Sequence, residues 1–589
     1  MKDFFKFTLA SIVGIIISIL LIFFLFLGIA GAIVSKSDKV ATVKDNSMLV
    51  LKFDNVITDR ATKNPFEDFD FTSFKPTPKT GLNSILKAIK NAAEDPKIKG
   101  IYIENENIPS GFATLEEIRN ALIEFKESGK FIISYSNSLS QKSYYLSSVA
   151  DKVMLNPEGG FEWVGLRSEI MFYKTALEKL GVEMQIIRHG KFKSAVEPFL
   201  YDKMSPENRE QVLTYMGSIW NHWVDGISKT RGIDTKTLNR FADELTIHNV
   251  QAAVDNGLID SLLYRDQVID MMKGLTGTKV DKDINSIGVA EYSKVPATKK
   301  TKGLIKDKIA VIYASGEIIM GDKTEGGIGG EGFAKVIRKA RRDSTIKAIV
   351  LRVNSPGGSA LASDLIWREL TLAKQVKPVI VSMGDVAASG GYYIAAPADY
   401  IIANPTTITG SIGVFGMVPN VQKLLNKKLG INVDVVKTNK SSDMMTINRP
   451  LTAEERAMIQ LGVEDVYTTF IGHVAEGRSI SVEEVDAIGQ GRVWSGINAI
   501  DINLIDEFGG LNRAIEVAAE KANLEEYRIA ELPKLEEPFE IMMKELTGSV
   551  KMKLFESDFD MAYKSYAKVK SAIENRGIQA RLSYDIEMY

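Results

Sequence analysis

Short apolar runs and amphipathic stretches alternate along most of the chain. The runs are rich in Val and Ile, as in buried strands, and the longer stretches place apolar residues at helical spacing. In sequence order, the pattern predicts strands at 48–53, 98–103, 131–134, 183–187, 346–353 and 378–381, and helices at 85–94, 115–128, 361–374 and 392–396. Strands that alternate with helices are typical of βαβ units, so the predicted fold class is α/β.

The amino-terminal residues 9–34 are almost wholly apolar and carry no charge. A helix needs about 20 such residues to cross a bilayer core, whereas the apolar part of a signal peptide has only about 7–15. The stretch therefore predicts an uncleaved transmembrane helix, and residues 1–47 form a membrane anchor and linker. Cleavage after the small residues 30–32 is the alternative. Lysines lie on both sides of the span, so the positive-inside rule does not decide its orientation.

The two halves of the chain share a sequence repeat. DPKIKGIYI at 95–103 corresponds to DSTIKAIVL at 343–351, an offset of 248 residues. At the same offset, QKSYYLSSVADKVMLNP at 141–157 corresponds to SGGYYIAAPADYIIANP at 389–405. A repeat of this length indicates a duplicated domain rather than a solenoid, whose period is roughly 20–50 residues.

The duplication divides the chain into two tandem domains, each long enough to bury its own core. The first is predicted at 48–293 and the second at 307–531, joined by a linker with Pro, Lys and Gly at 294–306. Residues 532–589 carry no motif and are predicted to form a helical tail. The helices predicted in this tail are 539–546 and 559–575.

Composition excludes several classes of site. The chain contains no Cys, which excludes disulfides, thiolate zinc sites and a Cys nucleophile. It contains only four His, which argues against a multi-histidine metal centre. The formal net charge of −2 gives no general attraction to nucleic acid. We therefore expect no metal site and no nucleic-acid partner.

A candidate nucleophile lies in the sequence AASGG at 387–391. Ser389 is predicted at a strand-to-helix turn, where backbone N–H groups at the helix start have no partner. Small neighbours, Gly390 among them, allow another chain to approach the hydroxyl. The repeat-related sequence of the first half is QKS at 141–143, so only the second half has the small residues that a serine site needs. A glycine-rich turn with Ser389 as a helix cap is the alternative.

The sequence NSPGGS at 354–359 lies between a predicted strand and a predicted helix. Glycines after a buried strand let backbone N–H groups face a ligand, as an oxyanion hole requires. Gly357 and Gly358 are therefore candidate oxyanion residues. The alternative is a tight turn in which Ser359 caps the helix.

A serine nucleophile needs a base to take its proton. His189 and His473 are candidates, although the sequence identifies no carboxylate partner for either. A lysine kept uncharged by burial is the other option, since burial lowers the pKa of an amine. Lys193 stands out because it has apolar neighbours after the strand predicted at 183–187. The alternative for this segment is a basic loop on the surface.

Five segments are recognisable together. They are GKFKSAVEPF at 190–199, RVNSPGGS at 352–359, SMGDVAASGGYYIA at 382–395, TGSIGVFG at 409–416 and GRVWSG at 491–496. On these residues the chain resembles the long, duplicated form of the signal peptide peptidase A (protease IV) family, which comprises membrane-anchored bacterial serine peptidases. The resemblance covers nearly the whole chain.

The resemblance implies a fold and a set of site residues. Both halves are expected to have the fold of the Clp protease and crotonase (enoyl-CoA hydratase) superfamily, a ββα superhelix. A Ser–Lys dyad would form between the halves, with Ser389 matching the nucleophile and Lys193 the general base. Ser411 matches a serine that positions the lysine. The residues that match the oxyanion region are Gly357, Gly358 and, through its N–H, Gly390.

The repeat supports this assignment of the base. At an offset of 249, Lys193 corresponds to Ser442, so the second half lacks the base just as the first half lacks the nucleophile. Lys437 and Lys440 lie close to that position and remain alternatives to Lys193.

The resemblance also implies a function, namely a membrane-anchored serine endopeptidase that degrades signal peptides left in the membrane after cleavage from exported precursors. Such a dyad needs no metal and no cofactor. The expected partners are signal peptides and other extended apolar peptides, the membrane through residues 9–34, and further copies of the chain in a homo-oligomer, a tetramer by resemblance. The expected location is the bacterial inner membrane, single-pass, with the catalytic body on the periplasmic side. An acyl-CoA-handling enzyme of the same fold and a non-catalytic membrane scaffold are the alternatives.

Overall fold

Two largely parallel sheets, one in each half of the chain, organise the fold. The computed structural model describes residues 42–61, 79–296, 305–535 and 577–582, with isolated positions among residues 6–21 and 69–76. No helix within these residues is long and apolar enough to cross a membrane. Most of the anchor predicted at 9–34 lies outside them, and the anchor stays a prediction.

The first half follows the predicted alternation of strands and helices. Its strands are β1 (Ser47–Leu51), β2 (Ile57–Thr58), β3 (Phe69–Asp70), β4 (Lys75–Pro76), β5 (Thr80–Gly81), β6 (Ile98–Ile103), β7 (Phe131–Leu139), β8 (Lys152–Phe161), β9 (Glu183–Arg188), β10 (Ser261–Leu262) and β11 (Ser286–Gly288). Its helices are α1 (Leu82–Glu94), α2 (Phe112–Lys126), α3 (Gln141–Ser147), α4 (Lys174–Leu180), α5 (Glu197–Leu200), α6 (Pro206–Arg231), α7 (Thr235–Asp243), α8 (Val250–Asp255), α9 (Arg265–Thr276) and α10 (Val289–Tyr292). A 3-10 turn at Ser194–Val196 precedes α5.

The second half repeats this alternation. Its strands are β12 (Lys308–Ser315), β13 (Ile318–Ile319), β14 (Ile328–Gly329), β15 (Ile346–Ser355), β16 (Gly357–Ser359), β17 (Val379–Ala388), β18 (Tyr400–Ala403), β19 (Ile408–Gly410), β20 (Phe415–Asn420), β21 (Val493–Ser495), β22 (Glu507–Phe508), β23 (Arg528–Leu532) and β24 (Gly577–Arg581). Its helices are α11 (Gly330–Arg342), α12 (Ala360–Lys374), α13 (Gly390–Ala395), α14 (Ala453–Arg478), α15 (Val482–Ile488), α16 (Gly496–Asp501) and α17 (Leu511–Lys521). A π-helical turn lies at Leu424–Leu429.

The central sheets of the two halves have matching strand orders. In the first half the order is β10-β8-β7-β6-β1-β11, and all neighbours are parallel. In the second half the order is β22-β18-β17-β15-β12-β23, again parallel. β19 extends the β17 edge and carries β21 in antiparallel pairing. The duplication predicted from the sequence is confirmed by this common topology.

The strand that leads to the candidate nucleophile is longer than predicted. The sequence predicts a strand at 378–381 followed by a turn, and this turn is wrong because β17 continues to Ala388. β17 pairs first with β18 and then with β19, so its ladder continues along one edge. Helix α13 begins at Gly390, directly after Ser389. The candidate nucleophile thus lies where a long buried strand turns into a helix.

A third sheet joins the two halves. Its strand order is β14-β13-β16-β24-β20-β9. β9 of the first half pairs antiparallel with β20 of the second, from Arg188 opposite Phe415 to Glu183 opposite Asn420. A segment of the predicted first domain therefore completes a sheet of the second.

The carboxyl-terminal segment also enters this sheet. β24 pairs antiparallel with β16 on one side and with β20 on the other. The prediction of a helical tail at 532–589 is therefore wrong for residues 577–581, whose backbone groups pair with neighbours on both sides. The helices predicted at 539–546 and 559–575 lie outside the described residues.

A buried ion cluster links the two halves. Arg352 on β15 is fully buried, and its Nε donates a hydrogen bond to Asp59 Oδ1 at 2.7 Å. Its Nη2 lies 2.7 Å from Glu117 Oε1. Burial would lower the pKa of Arg352, but the Glu117 and Asp59 carboxylates outweigh burial and raise it. Because a buried charge needs its partners, the cluster holds the two halves in one relative position.

A second polar contact crosses the same interface. Asp385 on β17 accepts hydrogen bonds from Thr114 N at 2.8 Å and from Thr114 Oγ1 at 2.6 Å. Gly111 gives room for this approach, since a Cβ at that residue would lie 2.1 Å from Asp385 Cγ. The start of α2 is thereby held on the strand that carries Ser389.

Replacing Arg352 with Met should destabilise the protein, because Asp59 and Glu117 would stay buried without their partner. We expect the free energy of unfolding to fall by about 3–5 kcal/mol, the cost typical of breaking a buried ion pair. Urea unfolding of the detergent-purified protein, followed by tryptophan fluorescence, measures this change. Arg240→Met is the matched control, because Arg240 and Glu244 form an exposed pair at 3.7 Å. Such a pair contributes about 0–1 kcal/mol, so equal effects of the two substitutions would contradict the linking role of the cluster.

Candidate active site

Lys193 lies directly before the 3-10 turn that follows β9, and it is completely buried. The alternative of a basic surface loop is therefore wrong for this residue. Two glycines of the second half make room for it. A Cβ on Gly491 would lie 2.6 Å from Lys193 Cα, and a Cβ on Gly413 would lie 3.3 Å from Lys193 Cδ. Sequence reasoning gave neither glycine a role, and the only signal was the recognisable segments that contain them.

Ser389 lies between the end of β17 and the start of α13. Its backbone has φ +55° and ψ −115°, outside the regions that residues other than glycine usually adopt. Its N–H donates a hydrogen bond to the Gly410 carbonyl at 2.8 Å. Its side chain makes no capping hydrogen bond to α13, so the helix-cap alternative is wrong. Backbone strain of this kind persists only where the surroundings impose it, and it clusters at active sites.

The structure brings Lys193, Ser389 and Ser411 together. Lys193 Nζ lies 2.8 Å from Ser389 Oγ, 3.0 Å from Ser411 Oγ and 3.0 Å from the Ser411 carbonyl oxygen. Ser411 is held at φ +49°, and its N–H donates to the Arg492 carbonyl at 2.7 Å. The amine from the first half is thus surrounded by hydroxyl and carbonyl oxygens of the second.

Burial lowers the pKa of Lys193 well below its usual range. The charged form loses its hydration, and the three oxygen atoms around Nζ carry no formal negative charge that would compensate. Burial therefore shifts the protonation equilibrium of Lys193 toward the uncharged amine. An uncharged amine has a lone pair that can accept the proton of the Ser389 hydroxyl.

The predicted glycine turn lies beside the candidate nucleophile. Gly357 has φ +94°, and a Cβ on it would lie 2.6 Å from the amide nitrogen of Gly390, the residue after Ser389. The Gly357 N–H donates to Ser355 Oγ at 3.1 Å. Ser359 caps α12, as the alternative interpretation expects. The turn therefore has a structural role and also borders the site.

β24 covers this glycine turn. The Ala580 carbonyl oxygen lies 2.3 Å from the position of a Cβ on Gly357 and 2.9 Å from that of a Cβ on Gly390. Gly358 lies opposite Ala580 in the ladder, and a Cβ on it would meet the Ile318 carbonyl at 2.0 Å. The glycines let extended backbone lie directly against the site. Sequence reasoning missed this strand because it carries no motif.

The two candidate histidines lie away from the nucleophile. His189 Nδ1 lies 2.6 Å from Glu464 Oε2. His473 stacks on Trp367 with the ring centres 3.5 Å apart. Neither is brought to Ser389. Within the part of the chain that the structure describes, no cluster of three or more His, Asp or Glu side chains is placed to hold a metal ion.

The alternative lysines are also placed elsewhere. Lys437 Nζ lies 2.6 Å from Asp443 Oδ1 in an ion pair. Lys440 is exposed, and so is Ser442 at the position that corresponds to Lys193 in the repeat. Of the lysines considered from the sequence, Lys193 is the one that reaches the nucleophile.

Comparison with known proteins gives the family. A sequence model of peptidase family S49 matches residues 124–279 and 371–525, once in each half. The chain belongs to peptidase family S49. A protein named Protease 4 from Salmonella typhi is 38% identical over 490 residues, which cover 81% of this chain and 78% of that protein. A protein named Serine protease SPPA, chloroplastic, from Arabidopsis thaliana is 36% identical over 474 residues, which cover 79% of this chain and 69% of that protein.

Family membership makes the chain a serine protease, which hydrolyses peptide bonds. The predicted resemblance and the predicted enzyme class are confirmed. Among solved structures, a mutant ClpP1 from Listeria monocytogenes aligns with 35% of this chain and 94% of its own, with a TM-score of 0.24 and 16% identity. That score is too low to support a conclusion.

The burial of Lys193 predicts a cost in stability that depends on pH. The unfolded chain keeps the lysine proton up to a pKa of about 10.4, whereas the folded chain releases it at lower pH, so stability rises with pH between the two values. Lys193→Met removes this dependence. We expect the wild type to gain stability relative to Lys193→Met by up to about 1.4 kcal/mol per pH unit within that range.

Urea unfolding at pH 7, 8 and 9 measures this difference. Lys191→Met is the control, because Lys191 is exposed and lies only two residues earlier. This control should follow the wild type. A difference between wild type and Lys193→Met that stays constant over the three pH values would contradict an uncharged amine in the folded protein.

Proposed function

We propose that this serine protease is an endopeptidase with a Ser–Lys dyad, in which Ser389 is the nucleophile and Lys193 the general base. The observation that carries the proposal is the 2.8 Å distance between Lys193 Nζ and Ser389 Oγ in a fully buried setting. A serine hydroxyl is activated by a base within hydrogen-bond distance, and burial makes the amine available as that base.

In the proposed reaction, Ser389 Oγ attacks a peptide carbonyl while its proton passes to Lys193 Nζ. The Gly390 N–H, at the start of α13 and beside the turn at Gly357 and Gly358, stabilises the oxyanion that forms. The lysine then protonates the leaving amine, and water hydrolyses the acyl-enzyme with the lysine again as base. Ser411, which contacts the amine through two oxygens, keeps it in position between these steps.

The substrate is proposed to bind as an extended strand. The position of β24 supports this, because its extended backbone lies against the glycine turn and pairs with β16 on one side and β20 on the other. A substrate strand at this place would replace β24. Strand pairing of this kind recognises main chain and suits extended apolar peptides. Signal peptides left after precursor cleavage belong to that class.

The proposed location follows from the apolar amino terminus. Residues 9–34 would anchor the chain in the bacterial inner membrane, with the catalytic body on the periplasmic side. An anchored protease would meet substrates that are themselves in the membrane. Several copies of the chain are also proposed to assemble into a homo-oligomer.

Ser389→Ala and Lys193→Met should each lower kcat/KM for a synthetic signal peptide by about 10³-fold or more, because the dyad acts as a unit. The variants are purified in detergent and assayed on that peptide and on a fluorogenic apolar peptide, with thermal melting as the test of folding. His189→Ala and Lys440→Ala are the controls and should keep wild-type rates. Full activity of Lys193→Met would place the base elsewhere, and a wild type that cleaves neither peptide would favour a non-catalytic scaffold.

Reaction of Ser389 with a serine-directed phosphonate should accelerate with rising pH and level off above the pKa of Lys193.

Ser411→Ala removes one of the contacts that hold the amine, so kcat should fall by about 10- to 100-fold with KM little changed. In the Ser411→Ala variant, the pH above which the labelling rate levels off should also shift, because that pH reports the pKa of Lys193. Ser442→Ala, at an exposed serine, is the control. A loss of kcat with an unchanged profile would indicate that Ser411 is only structural.

A further inference from the structure

Two backbone segments from different halves of the chain set the distance between Lys193 and Ser389. Lys193 lies in the segment 192–194, which follows β9 of the first half. The Ser389 N–H donates to the Gly410 carbonyl of β19 at 2.8 Å, and Gly410 lies opposite Val493 of β21 in an antiparallel pair. A side chain that binds both the segment 192–194 and β21 would therefore fix the amine relative to the hydroxyl.

Gln211 on α6 binds both segments. It is buried, and its Nε2 donates hydrogen bonds to the Phe192 carbonyl oxygen at 3.2 Å and to Ser194 Oγ at 2.9 Å. Phe192 and Ser194 are the two neighbours of Lys193 in the chain. The Gln211 Oε1 accepts the Val493 N–H at 3.1 Å. One amide group thus connects the lysine segment of the first half with β21 of the second half.

The contacts of this amide require a donor at one end and an acceptor at the other. The Val493 N–H can only donate, and the Phe192 carbonyl can only accept. Both are satisfied only when Oε1 faces β21 and Nε2 faces the lysine segment, which is the orientation observed. A methionine at this position would have a similar length but would supply neither bond. The position therefore needs an amide and not merely a side chain that fills space.

The Gln211 amide is itself held in place. Asn208, three residues earlier on α6, accepts a hydrogen bond from Gln211 Nε2 at 3.0 Å through its Oδ1. Its Nδ2 donates to Glu197 Oε2 at 2.9 Å, and the Glu197 carboxylate is fully buried. A buried polar network of this kind rigidifies the groups that it contains. Gln211 is therefore a fixed point between the two segments.

The strand segment that Gln211 binds also holds Ser411. The Ser411 N–H donates to the carbonyl of Arg492, the residue before Val493, at 2.7 Å. The Arg492 guanidinium lies over the Phe192 ring, 4.7 Å from its centre, and its Nη2 lies 2.8 Å from Glu210 Oε1 on α6. Helix α6 therefore contacts residues 492 and 493 next to the lysine segment, and those two residues are connected to both serines of the site.

We propose that Gln211 is a positioning residue that fixes Lys193 Nζ at hydrogen-bond distance from Ser389 Oγ. This inference rests on the proposed Ser–Lys dyad and deepens it. The hydrogen bonds of Gln211 go to the neighbours of the reactive residues, so it acts through them. A displacement of about 1 Å at a reacting group can lower a rate by about 100-fold, so the loss of this bridge should affect catalysis more than folding.

Gln211→Met keeps the length of the side chain and removes both the donor and the acceptor. We expect kcat for a fluorogenic apolar peptide to fall by about 10- to 100-fold with KM little changed, because the substitution changes the reacting geometry and not the binding of substrate. The full-length variant is assayed in detergent, with thermal melting as the test of folding. A change in KM alone would contradict the proposal.

Gln141→Met is the matched control. Gln141 is also a buried glutamine, and its Oε1 accepts the N–H groups of Val164 at 2.9 Å and Gly165 at 2.8 Å, all within the first half. The control should lower Tm as much as Gln211→Met does, because both substitutions remove buried hydrogen bonds to the backbone. Its kcat should stay within about twofold of the wild type. An equal fall in kcat for the two variants would make Gln211 merely structural and overturn the proposal.

The pH dependence of labelling gives a second readout. Burial lowers the pKa of Lys193, so a loosened segment that admits water should move this pKa back toward its usual value. The charged side chains on the elements around the segment stay the same in the variant. They are Arg188, Glu197, Glu210 and Arg492.

Reaction of Ser389 with a serine-directed phosphonate should therefore level off at a higher pH in Gln211→Met than in the wild type. The Gln141→Met control should level off at the same pH as the wild type. An unchanged profile in Gln211→Met would overturn the positioning role.

The same labelling in a Lys193→Met background separates this proposal from the proposed dyad. Without the amine there is no distance to fix, so adding Gln211→Met should slow labelling no further. A further fall as large as in the wild-type background would show that Gln211 acts by another route and overturn the proposal. If Lys193→Met alone reacts at the wild-type rate, it is the dyad itself that fails.

Gln211→Asn tests the same bridge if Gln211→Met does not fold. Asparagine keeps the polar amide, but it is one methylene shorter and cannot span the two segments. We expect kcat and the labelling profile to change in the same direction as in Gln211→Met. A folded Gln211→Asn variant with wild-type kcat and a wild-type profile would overturn the proposal.

Discussion

For Lys193 to act as the proposed base, its amine has to be kept from water while it lies against Ser389, although the two residues come from different halves of the chain. A lysine in water is charged at neutral pH and cannot accept a proton. β9 pairs with β20, and this pairing places the segment after β9, which contains Lys193, inside the second half. Gly413 and Gly491 then allow that segment to close without a side-chain clash. The contact between the amine and the hydroxyl depends on this interlocked sheet.

The same constraint gives a reason for the charged interface between the halves. Arg352, Asp59 and Glu117 are buried together as ion pairs. Burial of paired charges is seldom more stabilising than apolar packing of the same volume. A charged cluster does, however, tolerate only one relative position of its members. Arg352 lies on the strand that leads into the glycine turn, so we interpret the cluster as a device that fixes the first half against the site. In the proposed dyad, a displacement of about 1 Å between the two residues would lower the rate by about 100-fold.

Duplication followed by divergence explains why the lysine and the serine lie in different halves of the chain. Gln141 stands at the first-half position that corresponds to Ser389, and its Oε1 accepts the N–H groups of Val164 and Gly165. The first-half position that corresponds to the nucleophile is therefore occupied by a side chain that forms structural hydrogen bonds. Ser442, which corresponds to Lys193, is exposed. The first half has kept the lysine and the strand that carries it, and the second half has kept the serine.

The α/β class, the duplication and the serine at the end of a strand were all predictable from the amino-acid sequence, because periodicity and internal identity can be read without knowing which residues meet. The sequence left the base open among Lys193, two histidines and two further lysines, and it missed β24 and the full length of β17. Strand length depends on pairing with distant segments, and the protonation of a lysine depends on burial by residues far away in the chain. The contact between Lys193 and Ser389 is visible only in the folded chain, because Gly491 and β20, which enclose the lysine segment, belong to the other half.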